Sequence, residues 1–246
     1  MNTLRRAIEI LDYLVSSPGD VSVSDVARKF KMSVSNAYKY LRVFEEYGFV
    51  TRKRDKKYVP GYKLAEYGAM VLRKIDLREI AHPYLVDVMS KTGQTVHLVI
   101  KDGLEGVYID KVEGVYSIPM VSRVGMKIQL YSAASGKAIL AHLPKEELEE
   151  YLSMVRLERK TPNTITDPEK LKEELRKIRE LGYAIDNEEN EVGIRCIGVP
   201  IFDHNGYPVA GMSVSGAAQR LTGKLIEDCI SALKSAAEEI SKKLGY

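Results

Sequence analysis

A punctuated run of three short amphipathic helices, followed at once by a basic hairpin, narrows the possible folds of this chain more than any other feature. Leu4, Ala7, Ile8, Leu11, Leu14 and Val15 recur at helical spacing. Ser17-Pro18-Gly19-Asp20 then stops the helix. Ser22 is placed to cap a second helix, with Asp25 favoured in its first turn. That helix runs to about Lys29 and buries Val26, Ala27 and Phe30. After the break Lys31-Met32-Ser33, a third helix is expected from about Val34 to Tyr47, with Gly48 ending it. Two short helices joined by a tight turn form the helix-turn-helix pattern.

The third helix divides cleanly into two faces. Val34, Ala37, Leu41 and Phe44 point inward, while Ser35, Asn36, Lys39 and Arg42 point outward, with Tyr38 at the edge. The outward set can donate to phosphates and base edges, and it clusters at the end that enters the major groove in this motif. Two β-prone segments follow, Phe49-Val50-Thr51 and Tyr58-Val59-Pro60, around a tip that carries Arg52, Lys53, Arg54, Lys56 and Lys57. This reads as a wing whose tip touches nucleic-acid backbone or minor groove. A solvated hairpin loop is the plainer alternative, and a three-helix module that binds proteins is another. Charge supports the polyanion: residues 1–63 carry 13 Lys and Arg against 7 Asp and Glu, whereas residues 64–246 carry 24 against 27.

Beyond the wing, the pattern is helical from Leu64 to Ser90 with an interruption near Asp76. We read residues 64–75 as a linker helix whose apolar stripe needs cover, from a partner linker or from the same chain. The body, residues 76–246, alternates hairpins and helices. Gln94–Ile100 with Val107–Val112, and Val192–Phe202 with Tyr207–Val214, are expected strand pairs, and Ser117–Val121 a further strand. Helices are expected at 133–142, from Pro144, from an Asp167 cap to Gly182, and after a Thr222 cap with Leu221 and Ile226 as a hydrophobic staple. The fold class is therefore α+β: a winged helix-turn-helix plus an antiparallel sheet covered on one side.

Composition excludes other classes. No apolar run nears the ~20 residues a membrane span needs, and the start of the chain lacks the apolar core of a signal peptide. Cys196 and Cys229 are too few for a zinc ribbon or a disulfide framework. A soluble, cytoplasmic protein without membrane, metal or cofactor is expected. Catalytic patterns are sparse. His82, His97, His142 and His204 are scattered, Gly136-Lys137 lacks the upstream glycine of a phosphate loop, and Gly211–Gly216 matches a nucleophile elbow only loosely. The acidic segment Asp186, Glu188, Glu189, Glu191 precedes the strand bearing Cys196. Taken alone, the acids suit a solvated loop and Cys196 a small core thiol.

The stretch that starts at Gly182 carries more. Asp186, Glu189, Cys196-Ile197-Gly198 and Ile201-Phe202-Asp203 fall at the signature positions of the isocitrate lyase regulator (IclR) family, which the whole chain resembles. Ser135-Gly136-Lys137-Ala138 and the Gly48-Phe49-Val50 junction match as well. The resemblance implies a GAF-like effector domain behind the winged head, and action as a homodimer or homotetramer on two-fold operator DNA. It also implies control by a small organic acid. Carried over by position, the pocket is lined by Ala134 and Ser135 at a helix start, Asp186, Cys196, Ser213 and Ser215, with Met120 and Ile194 as apolar wall. Exposed N–H groups at a helix start suit a carboxylate. Ser213 and Ser215, two apart on a strand, point to one face. The expected role is a transcriptional regulator, a repressor more than an activator. The competing class is an enzyme that binds a small molecule or a metal, with Asp186, Cys196 and a nearby histidine as ligands and the head as an interaction module.

Overall fold

A computed structural model describes residues 3–73, 76–116 and 120–246. The chain forms two compact units, Met1–Lys74 and Ile75–Tyr246. In the first, helices α1 (Thr3–Ser16), α2 (Val23–Lys29) and α3 (Val34–Glu46) precede strands β1 (Val50–Arg52) and β2 (Tyr58–Pro60) and helix α4 (Tyr62–Arg73). Local chemistry sets these bounds. Ser22 and Asp25 form a reciprocal capping box at the start of α2. Ser33 caps α3 by accepting from the Asn36 amide. Gly48 takes φ 75°, which frees the chain to turn from α3 into β1. Ile10, Leu14, Val26, Ala37, Leu41, Phe44, Val50 and Tyr58 close one core under the three helices and the hairpin.

The second unit contains α5 (Asp76–Thr92), β3 (Thr95–Asp102), β4 (Glu105–Val112), β5 (Lys127–Gln129) and α6 (Ala134–His142). Then follow α7 (Lys145–Met154), α8 (Pro168–Leu181), β6 (Ala184–Asn187), β7 (Ile194–Phe202), β8 (Pro208–Ala217) and α9 (Gly223–Lys243). The six strands form one antiparallel sheet in the order β5-β4-β3-β8-β7-β6. Side chains alternate across it. Ile197, Val199, Ile201, Ala210, Met212 and Val214 pack with Leu85 of α5 and Cys229 and Leu233 of α9. The opposite face carries α6, packed in turn against Leu171, Leu175 and Ile178 of α8.

The fold departs from the sequence expectations at several points. The sheet is covered on both faces, because the strand face bearing Cys196, Gly198 and Gly211 is buried under α6. Two strands were not expected from the sequence: β5 and β6 are three and four residues long, too short for alternation to register. Ser117–Pro119 of the expected 117–121 strand lie outside the described residues, and Met120 and Val121 are not in a strand. Thr222 precedes α9 without a side-chain cap bond, although Leu221 is buried as the staple requires. Asp167 does cap α8, accepting from the Glu169 and Lys170 amides, and Gly182 ends it at φ 72°.

Helix α6 lies unusually close to the sheet because two glycines sit under it. A Cβ on Gly198 would stand 2.6 Å from the Ser135 nitrogen, and one on Gly211 would meet the Ser135 carbonyl oxygen. Both neighbours are backbone and cannot swing away. Gly198→Ala is therefore expected to push α6 off the sheet and cost about 1–3 kcal/mol, read by chemical denaturation. Wild-type stability in this variant would show that α6 is not seated by the glycines.

Candidate DNA interface and ligand cavity

Ser35, Asn36, Tyr38, Lys39 and Arg42 are all exposed on α3, above buried Ala37, Leu41 and Phe44. Capping consumes only the Asn36 backbone N–H, so its side-chain amide stays available. On the wing, Arg52, Lys53, Arg54, Lys56 and Lys57 are exposed as well, but they are not equivalent. The Lys53 ammonium bonds both Asp20 carboxylate oxygens, at 2.8 and 3.1 Å, which raises its affinity for its proton. Lys57 stands 3.8 Å from Asp55, and the Arg52 guanidinium lies over the Tyr58 ring. The wing is braced against the α1–α2 turn by Val21, which exchanges backbone bonds with Tyr58 at 2.8 and 3.0 Å.

In the second unit one cavity of about 160 Å³ lies between the α6 start, the sheet and the β4–β5 connection. Met120, Ala134, Ser135, Asp186, Ile194, Cys196, Ser213 and Ser215, the eight residues singled out from sequence, all line it. His97, Tyr108, Ser122, Lys160 and Asn190, which sequence reasoning missed, line it too. Strand register explains His97: it pairs across with Ser213 and shares its face. A histidine two residues into an apolar strand, opposite a serine-bearing strand, was the available signal.

Polar groups face the cavity in two conditions. Some are satisfied. His97 bridges Ser122 Oγ at 2.9 Å and Ser215 Oγ at 3.3 Å, and burial holds its pKa down to about 3, so the ring is neutral with one donor and one acceptor nitrogen. Asn190 Oδ1 accepts from Lys160 Nζ at 3.0 Å and Ser132 Oγ at 3.3 Å. Others have no partner among the described residues: the Ala134 and Ser135 amides at the uncapped start of α6, and the hydroxyls of Ser135 and Ser213, which line the cavity. Donors left open in this way can be taken by a ligand or by water.

Asp186 sits among them, 2% exposed rather than in a solvated loop. Burial pushes its carboxyl up to about 7; the nearby Glu189 charge adds to this, while the Glu189 and Asn190 amides and Lys137 pull back. Burial likewise raises the Cys196 thiol well above its ordinary range, with Asp186 adding to the effect, so Cys196 stands as a neutral thiol. Lys160, lowered by burial but helped by Asp186, brings the cationic end of the cavity. Among the described residues, no group of three or more His, Cys, Asp and Glu is arranged to hold a metal ion.

A winged head with an exposed donor face, together with a separate domain enclosing a small polar cavity, defines a ligand-responsive DNA-binding regulator. The chain belongs to the IclR family. Residues 3–54 match the IclR helix-turn-helix domain, and residues 69–242 match the bacterial transcriptional regulator IclR C-terminal domain. It is 34% identical to the HTH-type transcriptional regulator XynR of Escherichia coli over 100% of this chain and 98% of the relative. It is 36% identical to KdgR of the same organism over 92% and 87%. Among solved structures, the IclR protein of Thermotoga maritima is similar at 67% identity, TM-score 0.86, covering 100% of both chains. An IclR homolog from Microbacterium hydrocarbonoxydans, complexed with 4-hydroxybenzoate, is similar at 26% identity and TM-score 0.85, covering 99% of both. The protein is thus an HTH-type transcriptional regulator, and the enzyme reading is not favoured.

Carbon NMR of the Asp186 carboxyl is expected to give a titration midpoint of about 7. A midpoint in the ordinary carboxylate range would contradict the desolvated placement.

Proposed function

We propose that the protein represses its target genes from an operator of two-fold symmetry and is released by a small carboxylate bound in the cavity. The observation that carries the ligand reading is the set of unpartnered donors at the α6 start. Two amides and two hydroxyls converge where the helix dipole favours an anion. Asp186 would repel that anion if ionised, but a carboxyl whose pKa is about 7 is largely protonated in mildly acid solution and then donates a hydrogen bond. The 4-hydroxybenzoate complex of the relative from Microbacterium supports a carboxylate as the ligand class. The HTH-type transcriptional repressor AllR of Escherichia coli, 33% identical over 98% of this chain, supports repression.

In this reading residues 1–63 bind DNA, residues 64–75 link and residues 76–246 sense. Ser35, Asn36, Tyr38, Lys39 and Arg42 read the major groove, while Arg52, Arg54, Lys56 and Lys57 hold the flanking backbone and Lys53 divides its charge with Asp20. The apolar stripe of α1, with Ile8 61% and Val15 47% exposed, needs cover that a second copy would give, so a homodimer is the acting form and a homotetramer a further assembly. It works in the cytoplasm, where the chromosome is. Ligand acts through its differential affinity for DNA-bound and free arrangements.

Two experiments test this. Replacing Lys39 and Arg42 together by Ala should weaken specific operator retardation and lower the salt slope by about 0.9 for each phosphate no longer neutralised. Unchanged binding would remove α3 from the interface. For the cavity, calorimetry with 4-hydroxybenzoate as probe should show affinity falling as pH rises through about 7, because the anion binds the protonated Asp186 form and ionisation adds repulsion. Asp186→Asn should flatten that pH dependence. A profile that is already flat in the wild type would sink the role given to Asp186.

A further inference from the structure

Lys137 is 0% exposed, the most deeply buried charge in the second unit among the described residues, and neither DNA reading nor anion capture uses it. It lies two residues along α6 from Ser135 and does not itself line the cavity. It donates to Glu189 Oε1 at 2.5 Å, to the Ile185 carbonyl at 2.7 Å and to Glu174 Oε1 at 3.4 Å. These three acceptors use its three protons. Two of them flank Asp186 in the chain, and the third belongs to α8.

The segment Lys137 grips is the one that aims Asp186. Asp186 Oδ1 accepts from the Glu189 amide at 2.7 Å and the Asn190 amide at 3.3 Å, so the carboxyl is fixed by a turn over residues 186–190. That turn is also held from outside. Glu188 stands at φ 60°, a left-handed conformation that favours glycine, and such strain persists only where surroundings impose it. Thr161 Oγ1 and Thr164 Oγ1 bond the Glu188 and Glu189 carbonyls at 2.6 Å, and Lys137 bonds the Ile185 carbonyl and the Glu189 carboxylate. The second Glu189 oxygen, Oε2, is buried with no partner among the described residues. A fold seeking stability alone does better with apolar residues at such a pair.

We infer that Lys137 is a positioning residue for the effector cavity: it ties the α6 start, which offers the anion site, to the 186–190 turn, which supplies Asp186. The two walls of the cavity then keep one spacing, and a ligand spanning them reads that spacing. This rests on the carboxylate reading of the cavity for its ligand, but its geometry stands apart from it. The charged and titratable groups that act on Asp186 are Glu189 on its own turn, Lys137 on α6, Lys160 on the α7–α8 connection, Cys196 on β7 and Tyr108 on β4.

The test separates positioning from plain stability. Lys137→Met alone leaves Glu189 buried and unpaired and should melt well below wild type. The pair Lys137→Met with Glu189→Leu removes both charges and should recover most of the melting temperature. It should nevertheless bind 4-hydroxybenzoate at pH 6 about tenfold more weakly, as removal of a supporting hydrogen-bond partner does to a held ligand. The backbone amides of residues 189 and 190, which bond Asp186 Oδ1, should exchange hydrogen faster in the pair as the turn relaxes; the Asp186 midpoint does not serve here, because the Glu189 and Lys137 charges act on it directly. A pair that melts, binds and exchanges like wild type overturns the inference. Should the pair fail to fold, Glu189→Gln keeps the volume and one bond to Lys137; faster exchange of those two amides at unchanged melting temperature then supports the inference, and unchanged exchange overturns it. If the wild type itself does not bind 4-hydroxybenzoate, the carboxylate reading loses its support while the exchange of the two amides still decides the role of Lys137.

Discussion

The close seating of α6 on the sheet governs what the second unit can do. A helix backbone approaches a sheet this nearly only where the strand beneath lacks side chains, and Gly198 and Gly211 supply that gap on adjacent strands. The consequence is electrostatic as well as steric. The first turn of the helix, with its unpaired amides, is brought down to the level of Ser213 and Ser215 on the same strand face. A helix raised by an ordinary side-chain layer would leave those amides in water, and the cavity would have no anion-favouring end.

Around that seat the polar groups divide into a rigid frame and an open set. His97 is bonded to Ser122 and Ser215, and Asn190 to Lys160, so their orientations are determined before any ligand arrives. The Ala134 and Ser135 amides and the Ser135 and Ser213 hydroxyls are left over. Preorganised donors in a small, desolvated space are what a weakly basic carboxylate needs, since water is not left to compete. Asp186 adds a group whose charge depends on conditions, because burial outweighs the two amides that would otherwise keep it ionised.

The head follows a simpler logic. Its helices are defined by caps, Ser22 and Ser33, and by a left-handed glycine, Gly48, all readable at short range. Its polar face is exposed because Ala37, Leu41 and Phe44 consume the other face in the core. The inequality of the wing cations is a tertiary matter, since Asp20, far from Lys53 in sequence, takes part of its charge, and so is the Val21–Tyr58 brace.

The sequence by itself determined the elements whose signals are local: the helix-turn-helix, the wing, the Asp167 and Gly182 limits of α8, and the alternating strands β3, β4, β7 and β8. The eight cavity residues were legible mainly because their spacing matched a family, not because their chemistry announced a pocket. Tertiary structure decided the rest. Short β5 and β6 exist only by pairing with longer neighbours. The acidic run from Asp186 to Glu191 looked like a solvated loop because four acids in water need no explanation, whereas Asp186 and Glu189 are in fact buried. Thr161, Thr164 and Lys137 bond that segment, and Lys137 stands forty-nine residues from Asp186 in the chain, so no local pattern could show its role. An ion pair's worth depends on desolvation and on partners brought together by folding, and neither quantity is written in residue order.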